Sequence, residues 1–304
     1  MLFVIQLIFE FCSPRFAGEA GHLSLLLSVN IRLNAKIEEI LYNFGMKVII
    51  LCGGTGTRLK EETEYKPKPM VYIGGQPILW HIMKIYASYG YNEFVLALGY
   101  KADYIKDYFL NQKAFTSDFS LETRHHKTKF FLDDRKEIDN FKITFVNTGV
   151  DTLPGERILR CQKYIPERDK YFMVTYGDGV TDLDIDALVK FHKKQKTIGT
   201  ITLVHPRSKF GLVKINKKNL VDEFVEKPVL SDWVNGGYMV FDKRVFNYLK
   251  PGETEHPALK KLGKEGQLSG IKHNGFWFCM DTYKEVEDLN KMWKSGKAPW
   301  RIWK

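Results

Sequence analysis

Short apolar runs alternate along this chain with stretches in which apolar residues return every three or four positions. Val48 to Leu51 is brief and β-branched, which reads as a buried strand. Ile78, Leu79, Ile82, Met83, Tyr86 and Tyr89 then recur at helical spacing, and Phe94 to Leu98 is a second apolar run that ends in Gly99. Ala102 to Phe109 predicts a further helix with aromatic residues on its inner face. Ile143 to Val146, Tyr171 to Thr175, Ile201 to Val204, Leu212 to Ile215 and Val234 to Val240 predict more strands, and an aromatic strand before Asp281 leads to a helix from about Tyr283. Strand, helix, strand in this order predicts an α/β fold. Its sheet is mixed but mainly parallel, covered by helices on both faces, with ligands at the carboxyl edge of the strands.

Two stretches break the rhythm. Residues 1–45 read as an N-terminal extension outside the catalytic fold, which begins at Met46 and runs as one domain over 46–304. Met1 to Cys12 is apolar but lacks a basic start, carries Glu10 and has no convincing small-residue cleavage site, so it is a poor signal peptide. Asn111 to Asn140 is polar and reads as irregular; His125 and His126 in its middle are adjacent and would point to opposite faces of a strand, so no metal chemistry is assigned to them.

Composition narrows the partners. The 304 residues, 44% hydrophobic, can fill a sizeable core. The formal charge of +10 suggests anionic partners. Lysines are scattered rather than gathered into a block, and no zinc-finger, RNA-recognition or helix-turn-helix pattern is present, which argues against nucleic acid and for phosphorylated metabolites. Four well-separated cysteines suggest neither a disulfide framework nor a zinc site and fit a reducing cytoplasm. No uninterrupted apolar run has the length of a spanning helix, so no membrane partner is expected.

The chemistry begins where the first strand ends. Gly53, Gly54 and Gly56 lie within four residues, and glycines there remove the Cβ atoms that would keep an anionic ligand from the backbone, so several N–H groups can point at one phosphate chain. The spacing is neither that of a P-loop nor a full dinucleotide fingerprint. Thr57-Arg58 and the run Lys66-Pro67-Lys68-Pro69 add the fixed cations that a polyphosphate needs. Arg157, in the turn-rich segment before a short helix, is either a second cation for the nucleotide or a plain surface arginine. Lys227, between Glu226 and Pro228, is either half of a solvated ion pair or an ammonium for a second phosphate. Asn235, Gly236 and Gly237 at the start of a strand suit hydroxyl recognition with close backbone approach.

Two carboxylates complete the set. Asp178, between Gly177 and Gly179 at a strand end, contributes nothing to a core and needs a cation. Asp281 is either an N-cap or the second member of a pair. If the two strands are neighbours in one sheet, Asp178 and Asp281 form a Mg²⁺ site, because Mg²⁺ prefers few carboxylates, several waters and phosphate oxygens. Asp182, Asp184 and Asp186 read as helix-start structure. The reaction that fits is attack of a sugar-phosphate oxygen on the α-phosphorus of a nucleoside triphosphate, with pyrophosphate leaving in line. The nucleophile is already anionic, so alignment and charge neutralisation dominate.

Gly53 to Leu59 with Lys68 resembles the signature of sugar-nucleotide pyrophosphorylases. With Ile78-Leu79-Trp80-His81-Ile82-Met83, Thr175 to Gly179, Asn235-Gly236-Gly237, Met280-Asp281-Thr282 and Gly296 to Trp300, the match from Met46 onward resembles the glucose-1-phosphate cytidylyltransferases among them. The resemblance implies a Rossmann-like nucleotidyltransferase fold of the GT-A-like kind, Mg²⁺ dependence, and synthesis of CDP-glucose from CTP and α-D-glucose 1-phosphate. It also implies a homo-oligomer, a hexamer, and a place in making surface polysaccharide such as O antigen. Catalysis is then expected of Arg58, Lys68, Asp178 and Lys227. Nucleotide binding falls to Cys52, Gly53, Gly54, Thr55, Gly56, Thr57, Arg58, Lys68, Thr152, Arg157 and Gly177. Glu226, Lys227, Asn235 and Gly236 would hold the sugar phosphate, and Asp178 and Asp281 the metal. Two departures stand out: Glu156 sits just before Arg157, where an acid opposes a triphosphate, and Glu255 to Ala258 replaces a more acidic run. Nothing in the residues themselves reads a cytosine, so UTP or dTTP remain alternatives, as does a catalytically silent module that binds a sugar nucleotide.

Overall fold

The computed structural model describes residues 46–131 and 139–303; the expectation for residues 1–45 lies outside the described residues. Seven strands form the central sheet: β1 (Val48–Cys52), β2 (Glu93–Leu98), β3 (Lys142–Asn147), β4 (Tyr171–Tyr176), β5 (Gly199–Val204), β6 (Val234–Asp242) and β7 (Leu268–Lys272). Their order is β7-β5-β6-β4-β1-β2-β3. Every neighbouring pair is parallel except where β6 runs antiparallel between β4 and β5. The sheet is therefore mixed and mainly parallel, as the alternation predicts.

Both faces are covered. Side chains of β1 alternate with period two, so Val48, Ile50 and Cys52 enter one core while Ile49 enters the other. The first core is closed by α1 (Ile78–Ala87), α2 (Ala102–Leu110), α4 (Ile185–Gln195) and α6 (Tyr283–Lys294); the second by α3 (Pro154–Arg160) and α5 (His256–Lys264). Helix α1 buries Ile78, Leu79, Ile82, Met83 and Tyr86 along one stripe, which accounts for its sequence period. No helix among the described residues is long and apolar enough to cross a membrane.

The topology places the site. From β1 the chain proceeds outward to β2 and β3, then crosses back to β4 on the other side of β1. Beyond the carboxyl ends of β1 and β4 the connections diverge and leave a crevice at the switch point. The glycine turn leaves β1 there, and Gly177-Asp178 leaves β4 there.

Several expectations change. Leu212–Ile215 is a strand, but it pairs with Val221–Val225 in a separate exposed ribbon. Asn216 accepts the N–H groups of Lys218 and Leu220 and closes its own turn, so the segment pairs locally. β7, centred on Gly270, is absent from the apolar reading because its middle residue is a glycine; a Cβ there would stand 2.6 Å from Leu203 Cδ1. Residues 111–131 are not irregular either. They form a short helix, Gln112–Thr116, and a ribbon of Asp118–Glu122 with Lys127–Phe131, with exposed His125 and His126 in its turn.

Candidate functional site

The glycine turn is held from below. Gly53 carbonyl accepts the Tyr100 N–H at 3.1 Å and Arg157 Nη2 at 3.0 Å, and a Cβ at Gly53 would stand 2.0 Å from the guanidinium. Gly56 takes φ +66, and a side chain there would meet Thr63 and the Lys68 stem. The chain then makes a single 3-10 turn, Thr57–Leu59, pinned by buried Leu59 and by Thr63 Oγ1, which donates to the carbonyls of Gly56 and Leu59. Arg58 is left pointing outward, with 71% of its side chain exposed.

Arg157 is a clamp rather than a loop residue. It lies in α3, because the helix begins at Pro154, where proline's missing N–H costs nothing. Its Nη1 donates to Thr148 Oγ1 (2.6 Å) and to the carbonyls of Gly149 (2.7 Å) and Leu98 (3.3 Å); Nη2 donates to those of Gly53 and Val150. The guanidinium thus ties the ends of β1 and β2 to the loop after β3. The surface-arginine alternative fails, because the side chain is 3% exposed and both terminal nitrogens donate to carbonyls, yet the guanidinium still lines the cavity beside the glycine turn. Glu156 has partners of its own. Arg160 pairs with it at 2.7 Å and Gly252 N–H donates to it at 2.8 Å, and these partners hold its carboxyl below the usual range.

Lys68 sits on a 3-10 turn, Lys68–Met70, fixed by Pro67 and Pro69. Its Nζ donates to Asp178 Oδ2 at 2.6 Å and to Asp281 Oδ1 at 2.7 Å. Burial works against its charge, but Asp178 and Asp281 outweigh burial and raise its pKa. Arg58 Nη1 donates to the other oxygen of Asp281 at 2.7 Å, and Lys209 Nζ stands 3.8 Å from that oxygen. Burial would raise the Asp281 pKa; Lys68, Arg58 and Lys209 together lower it.

The two aspartates meet, though not as neighbours in the main sheet. Gly179–Thr181 pairs antiparallel with Trp277–Cys279 in a ribbon of its own, Gly179 opposite Cys279. One residue further, Met280 N–H donates to the Asp178 carbonyl at 2.8 Å, so both carboxylates leave the same end of the ribbon. Thr282, not Asp281, caps α6. Glu285 Oε2 accepts the N–H groups of both Asp281 (2.6 Å) and Thr282 (2.7 Å), which fixes the backbone that aims Asp281. Asp182, Asp184 and Asp186 are structural: they accept from Phe276 N–H, Ala187 N–H and the Tyr91 hydroxyl.

The glycine turn, Arg58, Lys68, Arg157 and Asp178 border a cavity of about 530 Å³ lined by residues 51–58, Lys68, Pro69, residues 150–154, Arg157 and residues 176–178, and Asp281 joins it through its bonds to Arg58 and Lys68. Cys52, Gly53, Gly54, Thr55, Gly56, Thr57, Thr152 and Gly177 are therefore all at the wall, Thr152 donating to the Thr148 carbonyl. Gly177 is pressed between the Leu51 carbonyl and Pro69, where a Cβ would not fit. The sugar-phosphate candidates stand elsewhere. Lys227 follows the exposed ribbon and pairs with its neighbour Glu226 at 4.0 Å rather than with either aspartate. Asn235 Oδ1 accepts Gly237 N–H, and Gly236 carbonyl accepts Trp277 Nε1; Gly237 lies against the ring of Tyr176 at the cavity wall. Beneath Tyr176, whose hydroxyl donates to it, Glu255 begins α5, 3% exposed.

Lys209, Glu285 and Tyr176 escaped the sequence reading. The Thr-x-x-Glu spacing from Thr282 to Glu285 could have signalled the cap, whereas Lys209 had no signal beyond its charge.

The Nucleotidyl transferase family model matches residues 47–278. A protein described as "Probable glucose-1-phosphate cytidylyltransferase" from Bacillus subtilis (strain 168) is 42% identical over 261 residues, 85% of this chain and 100% of its own length. Glucose-1-phosphate cytidylyltransferase of Salmonella typhimurium (strain LT2) is 40% identical over the same share of each. Among solved structures, UDP-glucose pyrophosphorylase complexed with UDP-glucose superposes with a TM-score of 0.59 at 17% identity, over 83% of this chain and 99% of that one, which speaks to the fold. The chain belongs to the nucleotidyl transferase family and, within it, groups with the glucose-1-phosphate cytidylyltransferases.

Proposed function

We propose that this enzyme transfers a cytidylyl group from CTP to α-D-glucose 1-phosphate, giving CDP-glucose and pyrophosphate. The observation that carries the reading is the meeting of Asp178 and Asp281 around Lys68, beside the glycine turn, in a chain about two-fifths identical to cytidylyltransferases over their full length. The donor set fits Mg²⁺, since Asp178 and Asp281 offer two hard carboxylate oxygens close together, the kind of ligand that ion prefers. Cys279 Sγ lies within 4.8 Å of both carboxylate groups, a third and softer donor. Bound there, the cation would neutralise phosphate charge as a Lewis acid.

The chain's own groups do the rest. N–H groups of residues 53–57 and the outward guanidinium of Arg58 hold the β- and γ-phosphates, and Lys68 the α-phosphate. Lys227 takes the incoming sugar phosphate with Glu226, Asn235 and Gly236 around the sugar. Its backbone, at φ +47, is in a region that non-glycine residues seldom enter and that recurs at functional positions. No general base is needed, since the attacking oxygen is already an anion; the protein aligns two phosphates that repel each other. A homo-oligomer, as a hexamer, cytoplasmic location and a role in O-antigen supply belong to the same proposal. Pyrophosphate release with glucose 1-phosphate and Mg²⁺, compared across CTP, UTP, dTTP and ATP, is expected to favour CTP. A preference for UTP or dTTP would refute the cytidylyl assignment, and tight CDP-glucose binding without turnover would favour a silent binding module.

A further inference from the structure

Lys68 occupies a place that the proposed metal would also need. Its ammonium lies 2.6 Å from Asp178 Oδ2 and 2.7 Å from Asp281 Oδ1, the locus from which both oxygens are reached at once. Pro67 and Pro69 fix its backbone, and the side chain is 11% exposed. Around the pair stand two further cations, Arg58 at 2.7 Å and Lys209 at 3.8 Å from Asp281 Oδ2. Two carboxylates thus face three positive groups. With Glu285 on the Asp281 backbone the charges nearly balance, so a divalent cation arriving alone meets no strong attraction and oxygens that already accept charge-assisted bonds. A polyphosphate changes this balance, since it offers the ammonium and the guanidinium another anion and frees the carboxylates.

We propose that Lys68 is an exchangeable counter-ion: it holds Asp178 and Asp281 together, yields them only when a triphosphate takes its ammonium, and so couples metal entry to nucleotide entry. This rests on the reading above that the two aspartates hold a divalent cation. Because coupling is reciprocal, the metal must raise nucleotide affinity by the factor by which the nucleotide raises metal affinity. The device needs no moving domain, only torsions of one lysine.

The test is Mn²⁺ binding to the full chain without nucleotide, followed by electron paramagnetic resonance and by thermal melts, for wild type, Lys68→Met and Lys68→Ala. Removing one nearby like charge is expected to tighten Mn²⁺ by about tenfold or more, in line with the effect of a close charge on ionisation. Mn²⁺ should raise Tm in both variants, standing in for the ammonium, and leave wild type nearly unmoved. A variant that does not fold alone is expected to fold with Mn²⁺ present, and failure of Mn²⁺ to restore it overturns the inference. Wild type binding Mn²⁺ as tightly as the variants overturns the counter-ion role while sparing the metal site. Gain of affinity that survives adding Asp178→Asn to Lys68→Met places the ion elsewhere and overturns both.

Discussion

The guanidinium of Arg157 donates to the carbonyl of Gly53 at 3.0 Å from directly beneath the glycine turn, so the loop that would cradle phosphate rests on a buried charge. Each carbonyl stripped of its donor costs about 1–3 kcal/mol when buried. Arg157→Met takes this donor from the carbonyls of Gly149 and Val150, while Gly53 and Leu98 keep the N–H groups of Tyr100 and Thr148, and it is expected to lower stability by about 1–3 kcal/mol and to weaken nucleotide binding with it. Lysine should rescue little, lacking the planar fork. Urea denaturation beside CTP titration checks this; intact stability with weakened binding would instead mark Arg157 as a direct ligand.

Asp178→Asn keeps the shape of the site and removes one of its charges. By comparison with the loss of one preorganised electrostatic donor, turnover should fall on the order of 10²- to 10³-fold. Pyrophosphate release in saturating CTP is the measurement, and near-normal turnover would remove Asp178 from the chemistry.

Lys227 and its neighbour Glu226 form a half-exposed pair of little energetic weight. Lys227→Ala should therefore leave stability within about 0.5 kcal/mol. If the ammonium meets the sugar phosphate, the loss of one charge-assisted bond should cut kcat/KM for glucose 1-phosphate by roughly ten- to a hundredfold while KM for CTP stays put. Unchanged kinetics would shift that role to another cation, with Lys209 first in line.

Glu285 touches neither carboxylate, yet it fixes the backbone of Asp281. Glu285→Ala is expected to cost about 1 kcal/mol in stability, as a lost cap does. It should also raise the concentration of Mg²⁺ needed for half-maximal rate more than it lowers kcat, whereas Glu285→Gln, which still accepts, should lie between. A purely structural role would leave the Mg²⁺ requirement where it was.

Stability should fall in mild acid. Burial lowers the pKa of His81 and of His192 to about 4, from 6.5. His81 lies among Trp293, Trp300 and Trp303, with Nε2 on the Ile73 carbonyl and Nδ1 facing Trp300 Nε1. Between about pH 6.5 and 4 the unfolded chain binds more protons than the folded one, so stability declines as pH falls through that window. Asp281, lowered by its cations, adds a loss only below the ordinary carboxylate range, near pH 4. A melting temperature flat from pH 7 to 4.5 would show that these imidazoles titrate as if exposed.

Much of the fold was legible because burial leaves a period. β1 and β2 lie inside a parallel sheet and read as unbroken apolar runs, and α1 shows its buried stripe directly. Where pairing is local or a glycine interrupts, the period fades, as in Val221–Val225, the unread partner of Leu212–Ile215, and in β7. The role of Arg157 was not legible in the same way. Arg157 carries the same charge in a clamp as in a phosphate site, and only the carbonyls around it separate the two uses.

From residue order alone came an α/β sheet, a glycine turn at its carboxyl edge, and the short cast of acids and bases that phosphate chemistry requires, since local backbone freedom and side-chain charge are written residue by residue. Which of those charges meet was decided by folding: a three-residue ribbon brings Asp178 to Asp281, a proline-braced turn sets Lys68 between them, and a helix start draws Arg157 beneath the loop. Such encounters depend on strand pairing and register across long stretches of chain, and a carboxylate has no partner until the backbone has delivered one.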